Sequence, residues 1–332
     1  MRIVLISDAW HPQVNGVVTT LVNTVATLQK LGHEVKLITP DLFRNYPWPG
    51  YPDVRIAFLC GPYLRPLIQS FNPDAIHFVT EGSIGYAARR FCREKGYRYT
   101  TSYLSRFPEY FKLRTGFPMW ISNTYLSWFH SESARVMVAT RSLQAEMEAK
   151  GYQRLARWSR GVDTDLFHPR GKNFFHLERP IFLYAGRVAV EKNIEAFLKL
   201  DLPGTKVVIG DGPYRDLLMA QYPSVHFTGY LHGEDLAKAI AAADVFVFPS
   251  RTDTFGVVLL EALACGVPVA GLPVESCKDV ITDGRVGILC EDLQQATLAA
   301  LDLNPQICRD YALKYSWETC TRQFVDNLTP MI

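Results

Sequence analysis

Short apolar, β-branched runs recur along the whole chain, and each is followed by residues at helical spacing. In the first half they are RIVLIS (2–7), EVKLIT (34–39), VRIAFL (54–59), AIHFVT (75–80), YRYTTSY (97–103) and VMVAT (136–140). In the second half they are PIFLYAG (180–186), KVVIG (206–210), VHFTGY (225–230), VFVFPS (245–250), PVAGL (268–272) and GILC (287–290). A strand with no polar face must be covered on both sides. That is the condition of a parallel sheet flanked by helices. Two batches of such strands in 332 residues predict two doubly wound α/β domains rather than one large core.

The stretch SRGVDTDLFHP (159–169), rich in Gly, Asp and Pro, marks the boundary between them. The expected division is residues 1–162, residues 163–308, and a terminal helical segment 309–332 that packs back on the first domain. Within that segment, RDYALKYSWETCTRQFVDNL (309–328) carries apolar and aromatic residues at helical spacing. A net charge of +2 gives no general attraction to nucleic acid. Seven scattered cysteines without a CxxC pair fit a reducing compartment, so a cytoplasmic location is expected, and they offer no metal-ligand spacing. No run approaches the ~18 apolar residues needed to span a bilayer.

Open α/β sheets bind ligands beyond the carboxyl ends of their strands. The residues just past each run therefore hold the candidates. SRTDTFGVVLLEALACGVP (250–268) places Asp253 before a predicted buried helix over 256–264, and Glu261 two turns inside it. Asp253 could cap that helix. An acid within an apolar helix requires a partner. Glu261 thus predicts either a buried salt bridge or an acceptor for the hydroxyls of an elongated polar ligand such as a sugar. In AGRVAVEKN (185–193), Arg187 and Lys192 follow the first strand of the second half. They are either solvated bases or partners of a diphosphate. NGVVTT (15–20) opens the first helix with Gly16, where backbone can approach an anion. IGDGP (209–213) lacks the third glycine of a dinucleotide fingerprint. Finally, 89–129 interleaves basic residues, among them Arg106, Lys112 and Arg114, with the aromatics Phe107, Tyr110, Phe111, Phe117, Trp120, Tyr125 and Trp128. Such a stretch is either a solvated face over core aromatics or a patch suited to an anionic lipid surface.

Together, ISDAWHPQVNGVVTT, GVDTDLFHP, YAGRVAVEKN, IGDGP, FTGYLHGEDLA, SRTDTFGVVLLEALACGVPVAG and YSWE resemble the retaining glycosyltransferases of family 4, over nearly the whole chain. The two acids match the family's E-x7-E signature, with Asp in first place. That form is similar to the diacylglycerol glycosyltransferases and the GDP-mannose-dependent α-mannosyltransferases. The resemblance implies a GT-B fold, with two Rossmann-like domains facing across a cleft. It implies a nucleotide-diphosphate hexose, UDP- or GDP-linked, as donor, with no metal or other cofactor. Glu261 is expected at the donor's ribose and Asp253 at the transferred sugar. Thr254, Phe255, Gly256 and Val257 are expected beside sugar and diphosphate, Arg187 and Lys192 at the diphosphate, Gly16 in the loop approaching it, and Leu231 and His232 near the base.

On the acceptor side the expected residues are Glu81, Tyr103, Leu104 and Arg106. Many relatives carry His where this chain has Leu104, so Glu81, Ser105 or Arg106 must substitute or activity is reduced. Three functions follow. One is hexose transfer to a membrane glycerolipid by a peripheral enzyme on the inner face of the cell membrane. Another is transfer to a soluble or polysaccharide acceptor. The third is a nucleotide-sugar-binding homologue with weak catalysis.

Overall fold

The structure, a computed structural model, describes residues 1–48 and 51–332. The chain divides into two compact units, residues 1–159 with 318–332 and residues 160–317. In the first unit the strands are β1 (Arg2–Ile6), β2 (Glu34–Ile38), β3 (Asn45–Trp48), β4 (Tyr51–Ala57), β5 (Ala75–Phe78), β6 (Thr100–Tyr103), β7 (Arg135–Val138) and β8 (Leu155–Arg157). Six of them form a parallel sheet in the order β2-β1-β5-β6-β7-β8. The second unit carries β9 (Ile181–Ala185), β10 (Thr205–Ile209), β11 (His226–Gly229), β12 (Val245–Phe248), β13 (Val269–Gly271) and β14 (Gly287–Leu289). These form a second parallel sheet, ordered β11-β10-β9-β12-β13-β14.

The strand expected at 54–59 differs from its prediction. β4 pairs antiparallel with β3 as a separate hairpin outside the sheet. Pro47 and Pro52 lack the N–H that an interior ladder needs, and most of the hairpin is only half-buried or exposed. The sixth sheet position goes instead to β8, whose three residues LAR carry no apolar run to announce it.

The segment 309–328 also departs from a single helix. Helices run from Pro305 to Ala312 and from Trp317 to Asn327. Between them the chain turns at 313–314, and Ser316 forms a β-bridge with Val162. The second boundary accordingly lies at 317/318 and not at 308/309. Arg309 explains why: its guanidinium donates to the carbonyls of Phe167 (2.6 Å), Ala264 (2.9 Å) and Thr164 (3.0 Å), which holds the 305–312 helix in the second unit. The later helix belongs to the first unit, where Phe324 packs on Trp158 at 4.7 Å. Beyond it the Met331 N–H bonds the Asp74 carbonyl at 2.8 Å.

Each sheet is buried on both faces, as its sequence dictates. Val4, Ile6, Ile76, Phe78, Phe91 and Phe129 sit in one core. Phe182, Tyr184, Phe197, Val208, Val245 and Val247 sit in the other. In each sheet the strand order reverses once, between β1 and β5 and between β9 and β12. The helices after such a pair lie on opposite faces and leave a crevice at the strand ends, where doubly wound folds hold ligands.

Candidate active site

At the reversal point of the second unit, the loops after β9 (186–193) and β12 (249–256) are sewn together. The Asn193 amide donates to the Pro249 carbonyl (2.9 Å), and the Thr252 hydroxyl donates to the Glu191 carbonyl (3.0 Å). Lys192 Nζ meets Asp253 Oδ1 at 2.5 Å. Asp253 thus pairs with a cation and does not cap the following helix, whose N-cap Gly256 provides no side-chain bond. The other oxygen of Asp253, Oδ2, is buried without a hydrogen-bond partner among the described residues. Leaving such an acceptor unmade costs about 1–3 kcal/mol. Arg187 lies on the same loop, 8% exposed, with its carbonyl accepting from the Tyr184 hydroxyl at 3.1 Å.

The GDG loop after β10 presses against the β9 loop. A Cβ at Gly210 would stand 1.9 Å from the Gly186 oxygen, and one at Gly212 2.3 Å from the Val188 oxygen. These glycines are required by loop-on-loop packing against the residues flanking Arg187.

The helix Val257–Ala264 begins at Gly256, which is left-handed at φ +81°. With no side-chain cap, its first N–H groups favour negative charge. Leu259, Leu260, Ala262 and Leu263 are fully buried around Glu261, which itself keeps some exposed surface. Glu261 forms no hydrogen bond or ion pair among the described residues, so the salt-bridge alternative is not realised. Burial in this apolar setting pushes its carboxyl up to about 7. Phe255 and Val257 are buried and Thr254 half-buried between the two acids. His232 is exposed at the start of the helix Gly233–Ala242, its ring 6.0 Å from that of Tyr230, and Leu231 beside it is half-buried.

The remaining candidates lie in the first unit. Gly16 opens the helix Gly16–Lys30 with open space around it. The side chain of Asn15 takes the N–H groups of Val17 and Val18, both at 3.0 Å. Tyr103 and Leu104 are buried, at 3% and 7% exposure. Arg106 grips Glu146 with both terminal nitrogens, at 3.0 and 2.7 Å, and reaches Glu109 at 3.4 Å. It therefore ties two helices together, and of the groups proposed to stand in for a histidine at 104 only Glu81 and Ser105 keep a side chain outside that clamp.

The basic-aromatic stretch splits in two. Arg89 is buried against Trp128, 3.9 Å over its ring, and donates to the carbonyls of Phe129 and Trp128; it is no part of a solvated face. Phe107, Leu113, Phe117, Trp120, Ile121 and Trp128 are exposed, and Lys112 with them. The Arg114 side chain lies outside the described residues. No helix among the described residues is long and apolar enough to cross a membrane.

Two residues escaped the sequence reading. Asp8, just past β1, accepts from the N–H groups of Ile84 (2.7 Å) and Gly85 (3.3 Å), and so caps the helix Ser83–Lys95. Its position at a strand end was the available signal. His130, at the end of the helix Met119–His130, is buried beside Glu81, and nothing in its sequence neighbourhood marks it.

Against known proteins, residues 14–166 match the family model described as Glycosyltransferase Family 4, and residues 179–303 match that of Glycosyl transferases group 1. A GDP-mannose-dependent alpha-mannosyltransferase of Mycobacterium tuberculosis is 31% identical over 87% of this chain and 83% of its own length. The chain belongs to glycosyltransferase family 4. This glycosyltransferase is also 28% identical to the alpha-monoglucosyldiacylglycerol synthase of Streptococcus pneumoniae, over 92% of the chain and 80% of that protein. Its fold is GT-B: the sucrose-phosphate synthase of Thermosynechococcus elongatus superposes with a TM-score of 0.80 at 19% identity, covering 98% of this chain and 97% of that one. The glycosyltransferase is accordingly an enzyme of the hexosyltransferase class.

Proposed function

We propose that this glycosyltransferase moves a hexose, with retention at the anomeric carbon, from a UDP- or GDP-linked donor to a membrane glycerolipid. The observation that carries the reading is the pair of acids on one loop-helix unit. Asp253 has one oxygen on Lys192 and a second without a partner among the described residues. Eight positions on, Glu261 has no hydrogen bond among the described residues. Sugar and ribose hydroxyls are donors of the kind both acids lack.

Glu261 would receive the ribose and Asp253 the transferred sugar. The amides from Thr254 to Val257 would lie along sugar and diphosphate, and Arg187 with Lys192 would take the diphosphate. Leu231 and His232 would flank the base. As the glycosidic bond breaks, negative charge gathers on the departing nucleoside diphosphate. A buried guanidinium and an ammonium already fixed by Asp253 stabilise that charge without reorganising, which is electrostatic catalysis of the leaving group. These residues neutralise it with fixed cations from the chain itself.

The lipid acceptor is supported by what the relatives act on and by the exposed Phe117, Trp120 and Trp128 and the exposed Lys112 of the same segment, which would rest the enzyme on a membrane as a peripheral protein. A second reading, donor binding with weak transfer, rests on Leu104. The test is a thermal-shift screen of UDP- and GDP-sugars, followed by incubation of the best donor with diacylglycerol in mixed micelles. A product retaining the donor's anomeric configuration is expected. Binding without product would favour the second reading, and no binding by any donor would refute both.

A further inference from the structure

The reversal point of the first sheet holds a second acid that the donor does not need. Glu81 follows β5, one of the two strands between which the order turns. Its backbone is pinned, because the Tyr125 hydroxyl donates to its carbonyl at 2.6 Å. Its side chain is only 10% exposed, and Oε1 lies 3.3 Å from His130 Nε2. His130 is itself 2% exposed, with Nδ1 2.8 Å from the Thr101 hydroxyl. A carboxylate only accepts, so Nε2 is the donor toward Glu81, and in the neutral ring that leaves Nδ1 to accept from the Thr101 hydroxyl. Thr101 of β6 thereby sets one imidazole, and the imidazole sets the carboxylate that follows β5. Leu104 directly follows β6, and its side chain can neither donate nor accept.

We infer that His130 is a positioning residue for the acceptor: its Nε2–H holds the Glu81 carboxylate at the first sheet's reversal point, where that carboxylate receives the acceptor's attacking hydroxyl. This rests on the glycosyl-transfer reading above. Glu81 is the group that touches the acceptor, and His130 acts only through it.

The test is a double-mutant cycle on the full-length protein, with the best-binding nucleotide sugar as donor and diacylglycerol in mixed micelles as acceptor. His130→Leu should lower kcat/KM for diacylglycerol about 10- to 100-fold through lost orientation of the carboxylate. Donor Kd should stay within about twofold, the scale of independent sites. His130→Gln, which keeps one N–H donor, should recover most of the loss. In a Glu81→Ala background, His130→Leu should cost nothing further. Equal losses with and without Glu81, or a Gln variant as poor as Leu, would overturn the assignment and leave His130 a packing residue. Histidine-selective 15N NMR reads the same pair without an acceptor. His130 should show a protonated Nε2 that changes on Glu81→Ala; an Nδ1-protonated ring, or no response, would refute the proposal. Failure of every donor to bind would instead strike the glycosyl-transfer reading itself.

Discussion

Replacing Glu261 by glutamine removes a charge that the fold holds at a cost. Its carboxyl titrates near 7 in the folded protein against an ordinary 4.5, because burial disfavours the ionised form. The folded state therefore binds this proton more tightly than the unfolded chain does. Below pH 4.5 both states are protonated and no penalty exists. Between 4.5 and 7 the penalty grows, and above 7 it is complete. The rise from 4.5 to about 7 corresponds to at most about 3–4 kcal/mol at ~1.4 kcal/mol per pH unit. Water reaching the partly exposed side chain brings this to about 1–2 kcal/mol. For a unit of this size that is roughly 2–8 °C in Tm. Glu261→Gln should thus match wild type near pH 4.5 and unfold several degrees higher at pH 8. Differential scanning calorimetry across pH 4.5–8.5 measures it. The same variant should lose most of the thermal stabilisation that a nucleotide sugar gives wild type, the exchange of stability for binding expected of a functional acid. A variant no more stable at pH 8 than at pH 4.5, relative to wild type, would refute the reasoning about an unpartnered buried carboxyl.

Lys192→Ala should slow transfer by tenfold or more, about 1.4 kcal/mol per decade in the barrier, because the leaving diphosphate loses a fixed cation and Asp253 loses its partner; steady-state rates with saturating donor check it. Leu104→His should raise turnover, and an unchanged or lower rate with true substrates would show that no group is missing there. Paired Phe117→Ser and Trp120→Ser substitutions should abolish most flotation with anionic vesicles while leaving donor binding intact, since both rings are exposed in the first unit; undiminished flotation would move the membrane contact elsewhere.

The alternation of apolar strands with helices made both sheets legible, since a parallel strand's burial on two faces is written directly in its composition. What escaped was decided by tertiary context. β8 is three residues of ordinary composition that earn their place only as an edge, and VRIAFL has a strand's residues but neighbours whose prolines keep it out of the sheet. The break at 313–316 depends on Ser316 bridging to Val162, a partner more than 150 residues away. Arg187, Lys192, Asp253 and Glu261 stood out as candidates because charged residues at strand ends and within an apolar helix are anomalies that need a reason. Arg106 and Arg89 were misleading for the opposite cause. Their sequence setting shows a charge, and only the fold reveals that Glu146 and a pair of backbone carbonyls occupy it. His130 was silent because a helix-terminal histidine next to a phenylalanine is unremarkable until Glu81 and Thr101 are seen beside it.

The central claim is that an activated sugar is held by the second unit, with its diphosphate on Arg187 and Lys192 and its ribose on Glu261. Isothermal titration of the best-binding nucleotide sugar into wild type, Arg187→Ala and Glu261→Ala tests it most directly. The account predicts one site per chain whose affinity falls at least tenfold in each variant, the scale of a lost charge-assisted bond. Wild-type affinity in both variants would contradict it.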